Sequence, residues 1–102
     1  MVEFVKVATT GELAPGWGKL VEVSDKRIAL FNVDGTYYAI DDECTHEGGP
    51  LSEGELEGTQ VVCPWHGAAF ELTTGEVVDP PADEAVARYT VRVSGDDVEI
   101  EI

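Results

Sequence analysis

The chain is poor in everything that binds anions, and that poverty is the first thing to interpret. Only six of its 102 residues are Lys or Arg, against 21 Asp or Glu, for a net charge of −15. A balance so acidic argues against binding to nucleic acid or to an anionic membrane surface. Long apolar runs are missing as well. Nothing approaches the length needed to span a bilayer, and Met1-Val2-Glu3-Phe4-Val5-Lys6 lacks the basic flank and apolar stretch of a leader. The expectation is a protein of the cytoplasm without a membrane partner. No segment keeps a helical period with caps, and there is no repeat and no linker, so a single domain over residues 1–102 is expected.

Cysteine and histidine are scarcer still, two of each. All four fall in one stretch as two short pairs, Cys44-Thr45-His46 and Cys63-Pro64-Trp65-His66, with sixteen residues between the pairs. A loop that separates cysteine from histidine by one or two residues aims both side chains at roughly one point. Two such loops offer two thiolates and two imidazoles to one ion or to a small cluster. Zinc accepts that donor set, but finger arrangements pair like with like, whereas each loop here is mixed. A disulfide between Cys44 and Cys63 would leave both histidines without a purpose, and a cytosolic chain keeps its thiols reduced.

The rest reads as β structure. Alternation and turn residues predict strands over Phe4–Ala8, Lys19–Val23, Arg27–Val33 and Thr36–Ile40, with Asp34-Gly35 as the strongest hairpin signal. Further strands are expected over Gly54–Gly58, Gln60–Val62, Ala68–Leu72, Glu76–Asp79, Ala85–Val93 and Asp97–Ile102, with at most one helical turn at Asp83–Ala87. The fold class implied is all-β, an antiparallel sandwich or barrel. Trp17, Phe31, Tyr37 and Tyr38 are expected in the core or on a sheet face.

The mixed spacing C-x-H…C-x2-H resembles the Rieske family. Gly48-Gly49-Pro50, Leu51-Ser52-Glu53-Gly54, Pro64, Trp65 and Gly67 look like the small soluble Rieske ferredoxins in particular. The resemblance implies one [2Fe-2S] cluster, with Cys44 and Cys63 on one iron and His46 and His66 on the other. It also implies a β base of about residues 1–40 and 77–102, carrying an inserted cluster-binding subdomain of about 41–76. Pro64 and Gly67 would shape the turn presenting His66, Trp65 would shield the cluster or face a partner, and the loop at Pro80-Pro81 would cover it.

By the same resemblance the chain is an electron carrier and no enzyme. It would take electrons from an NAD(P)H-dependent ferredoxin reductase and pass them to a terminal oxygenase; the small subunit of an NADH-dependent nitrite reductase is the alternative. A terminal oxygenase needs a further iron site of two histidines and a carboxylate, and no histidine remains for one. Respiratory Rieske proteins add a disulfide and two hydroxyl donors; here Gly49 and Trp65 stand in the disulfide positions, and Ala68 and Phe70 in the hydroxyl positions. Without those donors, and among Asp41, Asp42, Glu43, Glu47, Glu53, Glu55 and Glu57, the cluster is expected toward the low end of the Rieske range of about −150 to +300 mV. The acidic surface serves solubility or steers the protein onto basic partner patches.

Overall fold

The computed structural model describes residues 3–23, 25–43, 50–65, 67–79 and 85–101. Eleven strands lie along them: β1 Phe4–Thr9, β2 Gly18–Val23, β3 Lys26–Val33, β4 Thr36–Asp41, β5 Glu55–Glu57, β6 Gln60–Val62, β7 Ala69–Glu71, β8 Val77–Asp79, β9 Arg88–Tyr89, β10 Val91–Ser94 and β11 Asp97–Glu101. They form three antiparallel sheets, ordered β1-β11-β10, β2-β3-β4-β9 and β5-β6-β7-β8. A single 3-10 turn, Leu51–Glu53, interrupts the strands among the described residues. The all-β expectation holds. The third sheet runs on through Asp79, past the limit expected for the insert at Glu76.

Strand β3 explains how the sheets stack. Residues of a strand alternate between its faces, yet Ile28, Ala29, Leu30 and Phe31 are all 0% exposed, so both faces are covered. Ile28 and Leu30 pack with Ala8, Val21, Val23, Val98 and Ile100, the core between the first two sheets. Ala29 and Phe31 point the other way, into a second core with Leu51, Val61, Phe70 and Leu72 beneath the third sheet. Each large side chain removed from water there contributes roughly 1.5–3 kcal/mol. An unbroken apolar run is what a strand buried on both faces requires.

The β3–β4 turn is the type the sequence indicated. Asp34 and Gly35 have φ of 51° and 93°, the paired positive values of a turn that matches strand twist. Buried Asn32 ties this turn to the opposite loop: its Nδ2 donates to the Leu13 carbonyl at 2.8 Å, and its Oδ1 accepts from Gly35 N at 2.8 Å.

Two expectations need correction. Ala85–Val93 is not one strand: Arg88–Tyr89 pairs with β4, and Val91–Ser94 pairs with β11 in another sheet. The chain crosses between sheets at Thr90, whose carbonyl accepts from Glu101 N. Extended backbone continues through such a corner, so alternation alone misses the change of partner. Trp17 is the second case. Its amide and carbonyl are hydrogen-bonded to Ala14 and Asn32, but its ring is 67% exposed. Phe31 is core as expected, and Tyr37 and Tyr38 are half-buried.

Candidate metal centre

Backbone register gathers the functional loops at one end of the third sheet. Glu55 pairs with Val62, Val62 with Ala69, and Ala69 with Asp79, so these four residues form one row across it. The segment carrying Cys44 and His46 enters the sheet at Glu55. The loop carrying Cys63 and His66 runs from Val62 to Ala69, and the chain leaves for Pro80-Pro81 after Asp79. The three segments expected around a cluster therefore depart from the same end of the sheet.

The first loop is closed at its neck by Asp42. The Asp42 carbonyl accepts from Leu51 N at 2.7 Å, and its Oδ1 accepts from Ser52 N at 2.8 Å. Glu43 and Pro50 add an isolated antiparallel bridge. Asp42 is 3% exposed, the one buried acid among the described residues; its Oδ2 lies 4.0 Å from the Arg27 guanidinium. The 3-10 turn that follows is seated on the base at Gly18. A Cβ built there would lie 2.6 and 2.8 Å from two Phe31 ring carbons and 2.8 Å from the Ser52 carbonyl oxygen.

The second loop closes at Cys63, whose amide donates to the Ala68 carbonyl at 2.6 Å and whose carbonyl accepts from Gly67 N at 3.2 Å. Gly67 has φ +77°, a left-handed value glycine adopts without strain. Cys63, 3% exposed, sits in the apolar core with Leu51, Ala68 and Phe70. Trp65 is a surface residue at 55% exposure. Cys44, His46 and His66 lie outside the described residues, as do Gly49, Pro80-Pro81 and the first two residues of the helical turn expected at Asp83–Ala87; the other three, Ala85, Val86 and Ala87, are in no helix.

A cleft of about 1060 Å³ runs from Trp65 and Pro50 past Glu43 and Asp42 to Lys26 and Arg27. At its base-side end the Tyr89 hydroxyl donates to Asp41 Oδ1 at 2.6 Å, and Lys26 Nζ lies 5.5 Å from the ring centroid. Burial, reinforced by the hydrogen bond to Asp41 and its charge, pushes the Tyr89 phenol up to about 12. Sequence reasoning missed Asp42 and Tyr89 as structural parts of this region. Asp42 reads as one more acid in an acidic run, and Tyr89 as one position on an alternating strand.

The donor set suits a mixed-ligand cluster: two thiolates and two imidazoles on segments that leave one end of the third sheet, with Cys63 held in the apolar core. The Rieske [2Fe-2S] domain family matches residues 3–90. The biphenyl dioxygenase ferredoxin subunit of Pseudomonas sp. strain KKS102 is 40% identical over 96 residues, covering 93% of this chain and 88% of that protein. A chain in the complex of reduced oxygenase and oxidized ferredoxin in carbazole 1,9a-dioxygenase superposes with TM-score 0.89 at 33% identity, over 95% of this chain and 91% of that one. The putative NADH-dependent nitrite reductase small subunit from Mycobacterium tuberculosis superposes with TM-score 0.91 at 25% identity, over 100% and 96%.

Proposed function

The chain belongs to the Rieske [2Fe-2S] family, and from that premise we propose that it is the ferredoxin of a multicomponent oxygenase, taking electrons singly from an NAD(P)H-dependent reductase and passing them to a terminal oxygenase. The observation that carries this reading is 40% identity to a dioxygenase ferredoxin over almost the whole chain. The nitrite reductase alternative has the same fold behind it but only 25% identity. The protein is an electron-transfer component rather than a catalyst, with one Rieske-type cluster as its cofactor. We place its work in the cytoplasm, with the nicotinamide donor.

Cys44 and Cys63 would hold one iron and His46 and His66 the other. When bound, the cluster supplies reversible one-electron transfer. The chain's own residues supply its setting: Cys63 faces the apolar core, and Asp42 and Leu51 close the neck of the loop carrying Cys44 and His46. Ala68 and Phe70, both 0% exposed beside Cys63, bring no hydroxyl toward sulfur. Fewer hydrogen bonds to sulfur destabilise the reduced state, which favours a potential low in the Rieske range. A low potential suits accepting electrons from a nicotinamide-driven reductase.

The test is a dithionite titration of purified protein followed by absorption and EPR. A brown protein that bleaches partly and gives a rhombic signal with average g below the free-electron value supports the reading. A colourless, EPR-silent protein with stoichiometric zinc after anaerobic purification overturns it.

A further inference from the structure

The chain carries many acids around its ligand loops, but they are not equivalent. Glu43, Glu53, Glu55 and Glu57 are exposed and Asp41 is half-buried, whereas Asp42 is 3% exposed. A charge acting through protein interacts roughly fourfold more strongly than one acting through water at equal distance, and salt screens exposed charges far more than buried ones. Asp42 is also bound to the ligand loop itself. It stands two residues ahead of Cys44, its carboxylate accepts from Ser52 N, and its carbonyl accepts from the amide of Leu51, which packs in the same core as Cys63. Its counter-charge is weak: the Arg27 side chain is 65% exposed and reaches only 4.0 Å.

We propose that Asp42 is the residue whose carboxylate sets the potential of this carrier, by its burial at the neck of the first ligand loop, while the numerous surface acids are nearly silent. The inference rests on the ligand assignment proposed above. Asp42 acts through the cluster's surroundings, so the readout is a potential rather than turnover.

The experiment compares midpoint potentials of the holoprotein, by EPR-monitored dithionite titration at low and high salt, for wild type, Asp42→Asn and Glu43→Gln. Asparagine keeps an oxygen for the Ser52 amide and removes only the charge. The expected result is an upward shift for Asp42→Asn that persists at high salt, and a smaller shift for Glu43→Gln that fades with salt although Glu43 is nearer to Cys44 in sequence. An unchanged potential in Asp42→Asn, or an equal shift in Glu43→Gln, overturns the proposal. Should Asp42→Asn be recovered without its cluster, Arg27→Gln carries the test: losing the partial counter-charge should lower the potential, and an unchanged value overturns the proposal. A wild-type protein with no rhombic signal would overturn the ligand assignment itself, and this inference with it.

Discussion

Replacing Gly18 by alanine should loosen the seat of the first ligand loop without touching a ligand. The new Cβ would stand 2.6–2.8 Å from the Phe31 ring and 2.8 Å from the Ser52 carbonyl oxygen. Phe31 is 0% exposed and cannot turn away, and the other obstacle is backbone, so the 3-10 turn at Leu51–Glu53 has to move. Overpacking of this kind costs about 1–3 kcal/mol, offset by about 0.4–1 kcal/mol because alanine restricts the unfolded chain. The net of about 1–2 kcal/mol corresponds to a factor of roughly 5–30. Since removal of a cluster makes unfolding irreversible, the suitable assay is the rate of visible bleaching in guanidinium. Gly11→Ala is the control, because nothing lies within 4 Å of its Cβ position and its φ is ordinary. Gly18→Ala should bleach up to that factor faster, and Gly11→Ala should match wild type or be slightly slower. Equal rates for the two variants would refute the close approach of turn and strand.

Leu51→Ala empties a fully buried site shared by the loop neck and Cys63, and should cost about 2–5 kcal/mol, read as faster bleaching still. Asn32→Ala strands the Leu13 carbonyl and the Gly35 amide and should cost about 1–3 kcal/mol in denaturant unfolding, with the cluster spectrum unchanged. The tyrosinate absorbance lost in Tyr89→Phe should develop around pH 12 in the wild type rather than near 10, the ordinary phenol value. Because the folded state holds that proton more tightly, its stabilisation is complete below pH 10 and is lost as pH rises through 12; Tyr89→Phe should flatten this alkaline limb of the stability curve. His46→Cys replaces a neutral donor by an anion and should lower the midpoint potential; a loaded variant with an unchanged or higher value counts against His46 as a ligand.

The candidate donor pairs stand out in the sequence because cysteine and histidine are so rare that four of them in two tight spacings leave little else to read. Most strands were legible for a different reason: alternation and turn residues agree locally, as at Asp34-Gly35. What stayed hidden depended on contacts distant in sequence. Nothing around Trp17 reveals that its ring points outward while its backbone is used by Asn32. The run from Ala85 to Val93 alternates throughout, so its transfer from one sheet to another is silent. Asp42 is indistinguishable by residue type from its neighbours Asp41 and Glu43, and only the path of the chain back to Leu51 and Ser52 makes it the buried one. The 3-10 turn has too few residues for any period.

Strand β3 acts as a party wall between two rooms. Its Ile28 and Leu30 furnish the sandwich core, while Ala29 and Phe31 furnish the core that holds Cys63. Stripping iron from the chain releases the ligand loops beside one room, yet the wall remains pinned from the other side by β11 and its neighbours. The metal-free chain should therefore keep a folded base on which the ligand loops can be rebuilt, and reloading becomes a local event. Denaturing the base has the opposite reach: once the wall falls, neither room stands, and the redox centre is lost together with the sandwich.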